Sequence, residues 1–484
     1  MSCRPPTRVL RVDLDAGTAT SEPVPDDVRR RFLGGKGVGV RYLYGDLEPG
    51  TDPLSPANLL CFAVGPLTGM LPGEPRCAAI TKSPLSNTFV DSYVGGAFAA
   101  RLPTALDTHL AVLVEGRAEE PCVLRLSEGE ATLSTTDLWG ATIPETDDAL
   151  DGATACIGPA GEREVRYATV GTDGGDHQAG RGGVGAVMGA KRLKAVVADG
   201  DPAGDSLSAD SATVRRQYAD HYAESDTGRW VTTSGTVETL DFANEVGILP
   251  TRGWQDDRFE GADGVGIEAV RAAARAREDD GDFRVAAGDD TEEDDSKETV
   301  PRGATPMVLG AGLGIDDFDA VAALGGLCDR LGLDVISAGN AVAWAIRAAE
   351  EGYLSDAEST ATSTSAPVSA STGVDPGPSS GPDLDLAFGD VDGVRRLLSA
   401  IARREDPLAD ALADGVDAAA ARFGGDDLVP TVKSVALPSY DPRCPGARDD
   451  GDTGRRGRGS HSPCSRLLAP RPTGRTDPSA TLWP

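Results

Sequence analysis

Apolar and polar positions alternate along residues 7–14 (TRVLRVDL), as a half-buried strand requires, and Asp15-Ala16-Gly17-Thr18 then supplies a hairpin-type turn. Residues 59–64 (LLCFAV) are continuously apolar and stop at Gly65-Pro66, which predicts a fully buried strand. Short strands are also predicted at 77–81, 110–114, 122–126, 131–134, 153–157, 167–170 and 193–197. A helix is expected through Tyr44, and DSYVGGAF (91–98) reads as a segment broken by glycine. The first 203 residues therefore read as a β-rich domain.

After residue 207 the period changes. Apolar residues recur three and four apart over 208–245, 267–277, 318–331, 336–350, 391–403 and 408–423, which predicts helices. Two interruptions carry too little apolar surface to offset the entropy of ordering. They are the acidic run 279–300 and the Ser/Thr/Ala/Pro-rich insertion 356–381, both expected to be mobile and to carry no site. The expected organisation is α+β. A β-rich domain (1–203) precedes a helical domain (204–443), and 444–484 forms a tail of different composition, richer in Arg than in Asp, like a shifted reading frame.

Charge narrows the partners. The 484 residues carry a formal net charge of −31, which repels nucleic acid and anionic membranes alike. Acid excess with only six Lys among the 46 cations suits a protein of a high-salt cytoplasm, where salt screens self-repulsion. No apolar run reaches membrane-spanning length and the N-terminus has no signal-peptide core, so a cytoplasmic protein is expected. The eight cysteines (3, 61, 77, 122, 156, 328, 444, 464) form no C-x-x-C pair and suggest neither a disulfide framework nor a zinc site.

The stretch with most chemistry is GTDGGDHQAGRGGVGAVMGAKRLKAVV (171–197). Successive glycine amides make a concavity suited to anions, and Arg181 adds a forked cation. Neither the Walker nor the dinucleotide fingerprint is present, so the residues alone leave open an anion loop or a set of turn and packing glycines.

VLRVDLDAGT, FLGGKGVGVRYLY, DPLSPANLLCFAVGPLTG, RCAAITKSPLSNTFVDSYVGG, VLVEGRAEEP, ACIGPAGEREVRYATV and HQAGRGGVGAVMGAKRLKAVV occur in one order. In order and wording they resemble the aldehyde ferredoxin oxidoreductase family. The resemblance implies a β-rich base on which a tungsten or molybdenum bis-pterin lies, beside a 4Fe-4S cluster. It further implies oxidation of an aldehyde to a carboxylic acid, with electrons passed to ferredoxin. It carries Arg76, Gly95 and Gly96 over as pterin contacts, and Arg181, Gly182, Gly183 and Gly185 as phosphate and pterin contacts. DRLGLD (329–334) matches a pterin motif of the family, with Asp329 as the contact and Leu333 and Asp334 beside it. A capped helix end at Gly332 is the plain alternative.

Three departures stand out. The family's C-x-x-C-x-x-x-C cluster motif has no counterpart, because no Cys lies between Cys156 and Cys328. The family wording stops after Arg443, and a second pterin motif, the fourth cluster ligand and a metal-proximal His are expected beyond it. No metal ligand and no catalytic acid or base is assigned, and His177, just before the glycine loop, reads as a loop residue before a catalyst. Two alternatives remain at this stage: a non-catalytic pterin-binding relic, or an unrelated phosphate-binding Gly-loop protein. The sequence does not reveal the aldehyde, the metal or the oligomeric state, a homodimer being one option.

Overall fold

The computed structural model describes residues 6–71, 73–225, 237–278, 284–286, 297–299, 303–354 and 386–440. The insertion 356–381 and the tail 444–484 lie outside the described residues, as does most of the acidic run. Within that run, Arg284–Ala286 and Lys297–Thr299 pair as antiparallel strands, where a loop without regular structure was expected.

Most of the predicted strands, with three more at Thr18–Pro23, Phe89–Val94 and His177–Ala179, assemble into two six-stranded sheets. The first contains β1 (Arg8–Asp13), β2 (Thr18–Pro23), β3 (Leu60–Ala63), β4 (Cys77–Lys82), β5 (Phe89–Val94) and β6 (His109–Glu115), in the order β2-β1-β6-β3-β4-β5. The second contains β7 (Cys122–Ser127), β8 (Glu130–Thr135), β9 (Ala153–Cys156), β10 (Val170–Thr172), β11 (His177–Ala179) and β12 (Leu193–Ala198), in the order β11-β10-β9-β12-β7-β8. Each sheet has one parallel pair, β1 with β6 and β12 with β7, among antiparallel neighbours.

Strand periodicity fixes the layers. Val12, Phe62 and Val112 of the first sheet share a core with Leu124 and Val196 of the second. Filling it are Phe98 and Leu102 of α3 (Gly96–Leu106) and Val187 and Met188 of α6 (Val184–Ala190). Phe62 and Phe98 meet edge to face, centroids 5.9 Å apart. Val9, Cys61 and Leu113 face the other way. They pack on α1 (Asp26–Phe32) and α2 (Gly35–Asp46) through Val28, Val38 and Leu43.

Among the described residues the rest is mainly helical, as its period predicts: Ala209–Glu224, Glu238–Val246, Ile267–Glu278, Phe318–Leu331, Val335–Glu350, Val391–Arg403, Pro407–Ala413 and Val416–Phe423, with Thr431–Val432 and Val435–Ala436 paired as a short antiparallel hairpin. The protein is α+β. Among the described residues no helix is long and apolar enough to cross a membrane.

Some expectations are corrected. The segment 91–98 is not merely broken: β5 ends at Val94, and α3 starts at Gly96 and tolerates Pro103 within it. Residues 408–423 are two helices, interrupted where Gly415 takes φ 105°. Tyr167–Thr169 is not strand but joins the two halves. Its backbone bonds run from Asp334 N–H to the Tyr167 carbonyl (3.1 Å) and from Thr169 N–H to the Gly332 carbonyl (2.8 Å). The Tyr167 hydroxyl donates to the Leu412 carbonyl at 3.0 Å. Arg404 seals this junction, reaching the carbonyls of Arg163 and Glu164 and the carboxylates of Asp410 and Asp414.

Candidate cofactor site

The glycine loop links β11 to α6 across the junction of the two sheets. Arg181, Gly182 and Gly183 are left-handed in succession, with φ of 65°, 74° and 79°. The loop's carbonyls are held from the first sheet. The Ser92 hydroxyl donates to Gly180 O and the Ser83 hydroxyl to Gly182 O (2.7 Å). The amides of Arg181, Gly182 and Gly183 donate to no backbone carbonyl among the described residues. Successive amides freed in this way form an anion-binding concavity. Gly185 answers a different need, since a Cβ there would overlap the Thr169 carbonyl, so α6 can lie against that strand-like segment only as glycine.

Arg181 meets the second half of the chain. Its guanidinium lies 3.2 Å from Asp334 Oδ2 and donates to the Ala436 carbonyl (2.5 Å), with the Ser337 hydroxyl 3.4 Å away. Asp334 is buried and caps the helix Val335–Glu350, accepting from Ser337 N–H (3.1 Å) and its hydroxyl (2.5 Å). Two residues singled out by separate motifs are thus brought into contact.

The Asp329 motif realises the capping alternative in its backbone. Leu333 N–H bonds to Cys328 O (2.8 Å) and Gly332 N–H to Asp329 O (3.3 Å), while Gly332 takes φ 76°, the pattern of a left-handed helix end. Leu333 is buried in the core, contributing packing and a bridge to Ala168. Gln178, next to His177, donates to Asp329 O (3.3 Å) and so links this helix end to β11. The Asp329 motif and the Arg181 loop are therefore neighbours.

Arg76 sits on a more open rim, with Gly96 half-buried and Gly95 buried beside it. Arg76 Nη2 donates to Glu74 Oε2 at 2.7 Å. The other oxygen of Glu74 faces His177 Nδ1 at 3.0 Å, and His177 Nε2 faces Asp173 Oδ2 at 3.6 Å. Asp173 accepts from Ala97 N–H at the start of α3. Neither Glu74 nor Asp173 is singled out by the sequence, because the contacts that join them to one ladder, Glu74 with His177 and Asp173 with Ala97, are distant along the chain. Ser83 was already in the quoted TKSPL wording, the one available signal for a loop anchor.

The described cysteines fit an iron–sulfur cluster poorly. Cys61, Cys77, Cys122, Cys156 and Cys328 are buried. Burial pushes the Cys122 thiol up to about 11 and those of Cys77 and Cys156 up to about 12, which disfavours the thiolate form at these three. No group of three His, Cys, Asp or Glu side chains among the described residues could hold a metal. The Arg181 loop, by contrast, has amides without a backbone partner among the described residues, beside a guanidinium already engaged by Asp334, Ser337 and the Ala436 carbonyl.

The fold defines the class, a layered α+β protein whose glycine loop lies where two halves of the chain meet. The chain belongs to the aldehyde ferredoxin oxidoreductase family, matching the model of its N-terminal domain over residues 9–200 and of its domains 2 and 3 over 213–451. It is 32% identical over 453 residues to the tungsten-containing aldehyde ferredoxin oxidoreductase of Pyrococcus abyssi, covering 90% of this chain and 70% of that protein. It is 26% identical over 392 residues to the aliphatic sulfonate oxidoreductase WOR-like subunit of Pyrococcus furiosus, covering 72% of this chain and 60% of that one. Among solved structures, the active-site complex BamBC of benzoyl coenzyme A reductase shares the fold. The TM-score is 0.69 at 22% identity, over 90% of this chain and 66% of that one. An unrelated phosphate-binding Gly-loop protein is thereby excluded. The chain is a member of an oxidoreductase family, and the aldehyde ferredoxin oxidoreductases of Pyrococcus that it matches are tungsten-containing by name.

Proposed function

We propose that this chain binds a tungsten or molybdenum bis-pterin against the Arg181 loop and there oxidises an aldehyde to a carboxylic acid. The observation that carries this reading is the loop itself: consecutive left-handed residues, carbonyls tied back by Ser83 and Ser92, and amides directed to no backbone partner. Arg181 and Arg76 would take the pterin phosphates through forked, charged hydrogen bonds. Gly95, Gly96, Gly182, Gly183 and Gly185 allow close approach or close packing, and Asp329 would accept from the N–H groups of a pterin edge. Asp334 orients Arg181, and Leu333 closes the site from below with apolar surface. When bound, the metal–pterin group supplies the acceptor for the two electrons of the aldehyde, while the protein contributes orientation and electrostatics.

Transfer onward to ferredoxin is part of this reading through the relatives' names. A second reading, a pterin-binding protein without that electron route, is favoured by one observation, the absence of any Cys between Cys156 and Cys328. We place the domain boundary near residue 203 and the protein in the cytoplasm. The test is anaerobic aldehyde oxidation by tungsten-loaded protein, followed once with an artificial one-electron dye and once with ferredoxin. Activity with both supports the first reading. Pterin and metal without activity toward either acceptor support the second, and absence of pterin defeats both.

A further inference from the structure

The rim around Arg76 forms a ladder drawn from three stretches of chain. Ala97 N–H, at the start of α3, donates to Asp173. Asp173 faces His177 Nε2, His177 Nδ1 faces Glu74 Oε1, and Glu74 Oε2 accepts from Arg76. Space around it is fully committed: a Cβ on Gly95 would overlap the Glu74 carboxylate, and one on Gly96 would overlap Asp173 and the His177 ring. The glycine pair therefore makes room for the ladder.

We propose that His177 is a positioning residue for Arg76, acting by occupying one oxygen of Glu74. The inference rests on the reading of Arg76 as a phosphate contact. A carboxylate and a guanidinium prefer the bidentate fork, with both oxygens engaged by parallel N–H groups. Here Glu74 grips Arg76 through Oε2 alone, because Oε1 is turned to His177 at 3.0 Å. At 3.0 Å Nδ1 is within hydrogen-bond distance of Glu74, whereas Nε2 at 3.6 Å from Asp173 is not, so the imidazole engages Glu74 through Nδ1–H. Arg76, whose side chain is 51% exposed, keeps its remaining N–H groups for an anion. Removing the imidazole releases Oε1, Glu74 closes on Arg76 as a fork, and the carboxylate then competes with phosphate for the same donors.

The test is pterin retained by the full chain after extended dialysis, read as fluorescence of the oxidised pterin, with the thermal midpoint followed as a control. Arg76→Ala and His177→Ala are each expected to retain about tenfold less, the worth of one charged hydrogen bond. His177→Gln, which keeps an N–H donor for Glu74, is expected to retain near wild-type amounts. The double variant His177→Ala/Glu74→Gln is expected to recover, because the competing charge is gone. A purely structural role for His177 predicts no such recovery. Unchanged retention in His177→Ala, or a double variant as poor as His177→Ala, overturns the proposal. If Arg76→Ala itself retains pterin normally, the phosphate reading of Arg76 is what fails. Should His177→Ala not fold, Glu74→Gln alone is expected to retain at least wild-type amounts, and lower retention overturns the proposal.

Discussion

On the proposed reading Arg181 has two duties, toward an anion and toward Asp334, and its replacement should register in both. Arg181→Ala is expected to lower pterin content and also to destabilise the chain by about 1–3 kcal/mol, since Asp334 is buried and loses its cation. Arg181→Lys should recover part of the stability and less of the pterin, because a point charge cannot form the fork. Equal pterin content in all three proteins would contradict this assignment. Lys191 offers a pH test away from the site. It is buried, its ammonium donates to the carbonyls of Pro56 and Gly116, and burial lowers its pKa from 10.5 to about 8. Below pH 8 both folded and unfolded chains carry this proton, and the cost of burying the charge is felt in full. Between pH 8 and 10.5 the unfolded chain holds more protons than the folded one, so this group's contribution to stability rises with pH. Its full span is about 3 kcal/mol. Denaturant melts should show wild type gaining on Lys191→Met across that window; a constant difference would count against the buried cation.

The elements were legible where one period dominates a whole segment. LLCFAV became β3 with every residue buried, and residues 391–403 became the predicted helix. Legibility failed where tertiary contact overrides local signal. The glycines before α3 concealed a helix whose apolar face, Phe98, Ala99 and Leu102, is needed between the sheets. Tyr167 looked like strand because it is apolar and aromatic, yet its burial is spent against the helical half. Of the site, the loop and the Asp329 motif could be read from their wording, whereas Glu74 and Asp173 could not, having ordinary surface chemistry until the fold joins them. The junction held by Arg404 gives an element-scale prediction. Arg404→Ala removes its bonds to three carbonyls and two carboxylates, and about 1–3 kcal/mol of stability should go with them. Because the acids are part exposed and can rehydrate, Arg404→Lys should recover little. A loss below about 0.5 kcal/mol would show that apolar packing alone holds the halves together.

At the scale of the molecule, a net charge of −31 opposes compaction, so the thermal midpoint should climb with potassium chloride until the charge is screened. A midpoint indifferent to salt would remove the argument for a saline environment. The central claim is that these two halves, joined across Tyr167, Asp334 and Arg404, form a cradle for a metal–pterin cofactor. Its most direct test is elemental and pterin analysis of the full chain purified without oxygen from a host supplied with tungstate. Tungsten and pterin should co-purify in fixed ratio with wild type, and should both fall in Arg181→Ala. A folded wild-type chain that carries neither would contradict the account.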